Sequence, residues 1–252
     1  MSRKLLTSAL LAAGLLTAGA AQAALINVGG VVWDPDSVFD FSSHDSMVET
    51  ITNTIGQSIS GYAKITTVNG MSESAFCPGC ELTYTFSGFT LQSTAGKYVW
   101  TGGTIKVYVD STPNFDATKI STAADGVLWL SLAGHTFTDK TYTGTLISDP
   151  TPADYGIAGG GTGQLDVVGG LAKDNFDTNT IPDGLKGMAD FLFTSSFQLI
   201  RNGCITSDDG KLYCLQGSND LAGNSIPEPG SLALAGLGLL GLAGIRRRKQ
   251  QA

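Results

Sequence analysis

Four cysteines are the side chains most capable of chemistry in this 252-residue chain. They lie in two close pairs along the sequence, Cys77-Pro-Gly-Cys80 and Cys204 with Cys214. A redox-active Cys-x-x-Cys places its first thiol at a helix N-terminus, where the helix dipole lowers the thiol pKa. Here the alternating segment 81–86 follows, which is typical of a strand. The first pair is therefore predicted to be a structural disulfide, with a zinc site shared by both pairs as the alternative.

The simplest pairing is local, 77–80 and 204–214, although four cysteines allow three pairings. Asp208-Asp209-Gly210 lies between the second pair and is typical of a hairpin turn. The sequence therefore predicts a hairpin clamped by the second disulfide.

Acidic loops offer a weaker candidate for chemistry. Asn175, Asp177 and Asn179 place oxygen-bearing side chains at alternate positions, the spacing with which a loop wraps a calcium ion. An EF-hand would need Gly at 180 and Glu at 186, but the chain has Thr180 and Lys186. We therefore predict no cofactor and no metal, and retain an irregular calcium site in this loop as the alternative.

Catalytic side chains are sparse. The two histidines, His44 and His135, have no sequence neighbours at metal-ligand or triad spacing, and no Gly-x-Ser-x-Gly elbow is present. Aromatic residues could stack on sugars if they lined one exposed face, but core or edge packing is the commoner role; they are Trp33, Trp100, Trp129, Tyr98 and Tyr108. The prediction is that the protein is not an enzyme.

The N-terminus has the composition of a secretory signal peptide. Arg3 and Lys4 precede an apolar run that ends in Ala21-Gln22-Ala23. Small side chains at Ala21 and Ala23 are typical of a signal peptidase site, so residues 1–23 are predicted to be removed on export. A retained membrane anchor is the alternative.

The C-terminus combines three features in order. Pro227-Glu228-Pro229 forms a stiff, extended segment, because two prolines flank one carboxylate. An apolar run of 15 residues, 231–245, would span about 22 Å as a transmembrane helix. Cations then end the chain and are predicted to stop transfer on the cytoplasmic side; they are Arg246, Arg247, Arg248 and Lys249.

This terminus resembles the PEP-CTERM sorting tail of Gram-negative, biofilm-forming bacteria. The resemblance covers about the last tenth of the chain. It implies transient insertion in the inner membrane and recognition by an exosortase, a membrane transpeptidase that removes the helix and attaches or releases the protein outside. It also implies the company of exopolysaccharide, since such proteins accompany exopolysaccharide loci and some act in floc or biofilm formation. An ordinary single-span anchor is the alternative.

The body between the two ends is acidic. Residues 24–226 contain nine Lys and Arg against 21 Asp and Glu, a net charge of −12. Such a surface is a poor partner for nucleic acid or anionic lipid.

Strand patterns dominate the body. Short segments of alternating polarity are separated by Gly, Asp, Asn and Pro; they are 58–68, 81–91, 98–100, 104–109, 127–132, 142–147, 164–168 and 191–201. They predict an all-β domain over 24–216, built as an antiparallel sandwich or jelly roll. An amphipathic helix is predicted around 45–55, a flexible glycine-rich loop around 155–170, and a small, polar linker over 217–226 ahead of the sorting signal at 227–249.

The combined prediction is an exported, non-enzymatic surface or matrix protein, sorted by an exosortase and associated with exopolysaccharide in biofilms or flocs. The alternatives are a secreted carbohydrate-binding module, with or without calcium, and a carbohydrate-active hydrolase, which would need two carboxylates across a cleft.

Overall fold

A computed structural model describes residues 24–95, 97–136, 140–148, 157–201 and 203–226. The strands are β1 (Ile26–Val28), β2 (Val31–Trp33), β3 (Phe41–Glu49), β4 (Ser58–Val68), β5 (Met71–Ser72), β6 (Glu81–Ser93), β7 (Tyr98–Asp110), β8 (Val127–Gly134), β9 (Tyr142–Ser148), β10 (Ile157–Gly169), β11 (Ile181–Pro182), β12 (Met188–Ala189), β13 (Phe191–Leu199), β14 (Ile205–Thr206), β15 (Leu212–Tyr213) and β16 (Leu215–Gly223). The helices are α1 (Glu73–Phe76), α2 (Lys173–Phe176) and a 3-10 turn, Ile120–Ala123.

The long strands form a closed, antiparallel, up-and-down barrel. Around it they follow chain order, β3-β4-β6-β7-β8-β10-β13-β16, and β16 pairs with β3 to close the ring. β8 and β9 together occupy one position between β7 and β10, so the barrel has eight strand positions around its wall. We call the strands at these positions the staves. An eight-stranded barrel has an interior wide enough for side chains or one small ligand.

The all-β, antiparallel prediction is confirmed, but the sandwich or jelly roll is wrong. A sandwich needs two sheets with free edges, whereas here every stave pairs on both sides. The predicted strands 58–68, 81–91 and 142–147 lie within β4, β6 and β9. The strands that flank the closing seam, β3 and β16, were not predicted.

The predicted helix around 45–55 is wrong, because residues 41–49 form β3. The predicted linker over 217–226 is also wrong for residues 217–223, which belong to β16. Both segments are too polar to be recognised as strands, but inward side chains of β3 bond to backbone N–H groups of β16 across the seam. Asp45 on β3 accepts from the Asn219 backbone N–H at 2.7 Å, and Ser43 Oγ accepts from the Leu221 N–H at 3.2 Å.

Asp45 is the centre of this interior network. Its carboxylate bonds to the Tyr84 hydroxyl, which also accepts from Asn219 Nδ2 at 2.7 Å. Burial raises the pKa of Asp45 to about 7, against the opposing effects of these hydrogen bonds. Polar groups inside a barrel are tolerated when they are hydrogen-bonded, so this network lets two polar strands close the sheet.

The predicted signal peptide (1–23) and the C-terminal segment 227–252, with the predicted transmembrane helix, lie outside the described residues. None of the helices within the described ranges has the length and apolarity that a bilayer crossing requires.

Candidate functional site at the open end of the barrel

One end of the barrel is closed by aromatic packing. The β1–β2 hairpin and α2 cover the end at which β3 begins, and their rings meet those of the staves with centroids 4.9–6.2 Å apart; the residues are Trp33, Phe41, Trp129, Phe176 and Phe191. All five are at most 1% exposed. We call this cluster the plug. Its rings pack against one another at this end of the barrel.

The opposite end, where β3 ends, is an open cup of about 290 Å³. We call it the mouth. Its walls come from the β3–β4 connection and from the ends of β7, β9, β13 and β16 that meet there. The volume lies at the small end of the range for ligand pockets, roughly 300–1,000 Å³. The mouth therefore has room for one small molecule or one unit of a polymer.

Four aromatic rings line the mouth: Tyr98, Trp100, Tyr142 and Phe197. Tyr98 stacks on Trp100 with centroids 5.7 Å apart, and Trp100 lies 5.1 Å from Tyr142. Polar side chains at the mouth are Thr50, Thr52, Asn53 and Thr145. The arrangement combines flat apolar faces with hydroxyl and amide groups.

Glycines on the barrel wall make space for these rings. A Cβ at Gly159 would lie 2.6 Å from Phe197 Cζ, and one at Gly144 would lie 3.1 Å from Trp100 Cζ3. The glycine-rich segment predicted to be a flexible loop is therefore mostly β10, a wall of the barrel. The sequence does not reveal this role, because a run of glycines is typical of a loop. Only the structure shows that aromatic rings occupy the space that side chains at these glycines would take.

Glu49 is the carboxylate of the mouth. As the last residue of β3 it points inward and is 5% exposed. Desolvation alone raises its pKa to about 8. No donor in the described part of the chain hydrogen-bonds to its carboxyl group. The nearby Tyr142 hydroxyl is already bonded to Ser195 Oγ.

The two predicted disulfides are confirmed with the local pairing. Cys77–Cys80 follows α1 and is buried in the core, with Cys80 Sγ 3.8 Å from the Gly30 carbonyl. Cys204–Cys214 clamps the β14–β15 hairpin, directly before Leu215 of the mouth. With all four cysteines paired, no thiolate is left to form the zinc site. Strand β6 follows Cys80 directly, so the helix N-terminus that activates a redox Cys-x-x-Cys does not follow this pair.

The calcium candidates already contact other groups of the protein. Asn179 Nδ2 lies 3.4 Å from Asp177 Oδ1, and Asp177 pairs with Lys173 Nζ at 3.9 Å. The Asn175 carbonyl accepts from the Ile226 N–H at 2.7 Å. Over the described ranges, no three His, Cys, Asp or Glu side chains group around a point that could hold a metal.

Both histidines pair with carboxylates that sequence spacing could not reveal. His44 Nδ1 lies 2.8 Å from Asp220 on the outer surface, where both side chains are exposed. His135 Nδ1 lies 2.8 Å from Asp166, and its Nε2 lies 3.6 Å from Asp183. Neither histidine reaches the mouth, so neither is part of the candidate site.

The three tryptophans divide between the two ends. Trp33 and Trp129 belong to the plug, and each indole N–H has an acceptor, Ser225 Oγ at 3.2 Å and the Val28 carbonyl at 2.9 Å. Trp100 belongs to the mouth. Core packing is thus correct for two of them, and the third faces the candidate site.

The chain leaves the barrel at the plug. Asp40 Oδ2 accepts from the Ser225 N–H at 2.6 Å and from its hydroxyl at 2.9 Å, and Ser225 is 9% exposed. Ile226, the last residue before the Pro-Glu-Pro motif, is held by the bond to Asn175.

Comparison with protein families places residues 225–249 in the PEP-CTERM protein-sorting motif. The match covers the tail alone. It supports an exported protein that is targeted and processed by an exosortase. No curated protein and no solved structure matches the chain. The predicted sorting residues Pro227, Glu228 and Pro229 and the basic cluster 246–249 lie within the matched range.

Proposed function

We propose that this protein is a non-enzymatic binding protein of the cell surface or extracellular matrix, which holds one sugar unit of an exopolysaccharide in the mouth of its barrel. The observation that carries the proposal is the combination at the mouth of four aromatic rings with hydroxyl, amide and carboxyl groups in a cup of about 290 Å³.

Sugar rings fit this chemistry because they present both C–H faces and hydroxyl edges. Tyr98 and Trp100 form a stacked wall that an apolar sugar face can cover. At the rim, Thr52 Oγ1 donates to Gln57 Oε1 at 2.7 Å, whereas the Thr50 hydroxyl and the Asn53 amide keep donors for a ligand. A mostly apolar cavity with a few convergent polar groups is the usual form of a small-molecule site.

Binding is favoured over hydrolysis by the count of carboxylates. Glycosidases use two carboxyl groups on either side of the scissile bond, roughly 5–9.5 Å apart. Within the described lining of the mouth, Glu49 is the sole carboxylate. A cup with one acid can hold a sugar but does not supply both an acid and a base or nucleophile.

The placement of the tail favours display of the mouth. Strand β16 begins at the mouth with Leu215 and runs to the plug, where Ser225 and Ile226 are fastened. The eight steps between the first and last Cα atoms of this nine-residue strand cover about 26 Å at ~3.3 Å per step. A protein processed or attached through its sorting tail would present the mouth on the far side, toward the extracellular polymer. We therefore propose that the protein associates with biofilm or floc material through the mouth.

A matched pair of tyrosines on β7 tests the proposal. Tyr98 lines the mouth, whereas Tyr108 is on the outside of the same strand, and both are half-buried. The exported protein should bind purified exopolysaccharide of the producing cells, and Tyr98→Ala should weaken binding at least tenfold in a sedimentation or titration assay. Tyr108→Ala should bind as the native protein does. Equal affinity of the native protein and both variants would show that the polymer does not bind at the mouth. Hydrolysis of the polymer would contradict the non-enzymatic role.

A further inference from the structure

Glu49 is the feature of the mouth that sugar binding alone does not explain. A carboxyl group that is 5% exposed normally bonds to several donors, because a buried polar group without partners is costly. Glu49 has no such donor among the described residues, and it faces the cup. A mouth that only stacked on neutral sugar faces would be more stable with an apolar residue here.

The surroundings of Glu49 favour a positive group. Four aromatic rings line the cup, and an aromatic π-face attracts an ammonium within about 6 Å of the ring. No Lys or Arg is among the described residues that line the cup, so an anionic ligand would find no cationic partner there. The net charge of −12 over residues 24–226 also draws cations toward the protein.

We propose that the mouth selects a sugar unit that carries a free, protonated amino group, and that Glu49 pairs with this ammonium inside the ring of aromatic side chains. The inference rests on the proposed function and names its ligand class, an amino sugar without an N-acyl group. An acetylated amine is neutral and larger, so it would lose the ion pair and crowd the aromatic rings.

Binding should release a proton. Because desolvation raises the pKa of Glu49 to about 8, the carboxyl group is mainly protonated at neutral pH in the free protein. An ammonium beside it favours the carboxylate, so the proton leaves to the buffer as the ion pair forms. One O–H bond of the carboxyl group is broken, and the ligand keeps its own protons.

The other titratable groups near Glu49 do not account for this proton. Tyr142 on β9 and Tyr84 on β6 have raised pKa values, owing mainly to burial, and stay neutral. Tyr98 is the remaining ionisable side chain of the described lining. Asp45, deeper on β3, bonds to Tyr84 and Asn219 and does not line the cup. A proton release that disappears when Glu49 is replaced therefore comes from Glu49 and not from Asp45.

The test is calorimetric titration of the exported protein with glucosamine, N-acetylglucosamine and glucose at pH 6.5, in two buffers of different ionisation enthalpy. Glucosamine should bind at least tenfold more tightly than the two neutral sugars and release a fraction of a proton. Glu49→Gln should reduce the affinity for glucosamine to that for glucose and abolish the release. Asp174→Asn removes one exposed charge on α2, at the plug, and should change neither.

The outcomes separate the two proposals. Equal binding of the three sugars, unchanged in Glu49→Gln, would overturn the amino-sugar inference and leave the sugar site intact. No binding of any of the three, nor of the exopolysaccharide, would overturn both. Tight glucosamine binding that Glu49→Gln and Asp174→Asn weaken equally would show attraction by net charge and would overturn the role of Glu49.

Discussion

The two ends of the barrel solve the same geometric problem in opposite ways. Each stave ends in inward-facing side chains that must be covered or left in contact with solvent. At the plug a hairpin and a short helix cover them, and each indole there has a hydrogen-bond acceptor. At the mouth the rings remain around a cup, and a carboxyl group is buried without a donor from the described chain. The plug is covered and its indoles are hydrogen-bonded, whereas the mouth keeps a carboxyl group and the Trp100 indole N–H without partners in the described chain.

Buried acids make the contrast sharpest. Asp190, near the plug, is 1% exposed and accepts three backbone N–H groups, from Val167, Thr178 and Asn179, at 2.6–2.8 Å. Glu49 is buried to a similar degree but has none of these partners. A buried acid with a full set of donors organises the fold, whereas one without donors is a candidate for contact with a ligand.

Replacement of a tryptophan should cause the largest loss of unfolding free energy. The loss should be greater at the plug than at the mouth. Trp129→Ala leaves a closed cavity in the plug and should cost about 3–5 kcal/mol of unfolding free energy. Trp100→Ala opens into a cup that already admits solvent, so its cost should be lower by at least about 1 kcal/mol. Chemical denaturation of both variants measures this. Equal costs would mean that the mouth is packed as tightly as the plug.

The next largest difference is expected in the free energy of unfolding that is lost when each of the two buried acids, Asp190 and Glu49, is replaced. Asp190→Ala leaves three backbone N–H groups of the plug region without an acceptor and should cost about 2–4 kcal/mol, since hydrogen bonds to a charged group contribute about 1.5–3 kcal/mol each and water replaces some of them. Glu49→Gln should cost less than about 1 kcal/mol at pH 6, because no bond within the described chain is lost. Denaturation midpoints at pH 6 compare the two. A larger loss for Glu49→Gln would show that Glu49 is structural.

Stability should fall as pH rises, and Glu49 should be one cause. Its pKa is raised from 4.5 to about 8 in the folded protein, so the folded state holds its proton more tightly than the unfolded state does. The resulting stability is complete below pH 4.5 and is lost as pH rises toward 8. Asp45, raised to about 7, adds to the same slope.

Thermal unfolding between pH 5 and 9 measures that slope. Glu49→Gln should flatten the curve and become more stable than the native protein at pH 9, while the part due to Asp45 remains. An identical slope in both proteins would show that solvent reaches Glu49 and that its pKa is ordinary.

The sequence predicts the parts of this barrel whose interior is apolar. Strands such as β4 and β6 show alternation because the inward residues, among them Ile65, Leu82 and Phe86, are hydrophobic. The closing seam was missed because Asp45 and Asn219 are polar but face inward, and the bond from the Asn219 backbone N–H to Asp45 joins residues 174 apart in the chain. Closure itself depends on that pairing, so a sandwich could not be distinguished from a barrel.

The mouth was partly visible in the sequence. Trp100 and Tyr98 were singled out, but which aromatic residues share a cup depends on strand order around the barrel. The place of Glu49 in the mouth could not be predicted from the sequence, since a glutamate at the end of a polar segment usually faces solvent. The sorting motif of the tail, in contrast, was predicted from the sequence and is confirmed over residues 225–249, because its recognition depends on local sequence and not on packing.

The smallest effect is expected where the chain leaves the plug. Asp40→Ala removes the acceptor of both Ser225 bonds and should free the residues that precede the sorting motif, leaving the barrel intact. Loss of about 1.4 kcal/mol of local stability corresponds to tenfold faster hydrogen exchange at the Ser225 amide, with no change at β4 or β6. Exchange that accelerates throughout the barrel would show that Asp40 supports the whole fold. A local effect would mean that the plug holds the start of the sorting tail through a few bonds, which can open without unfolding the mouth.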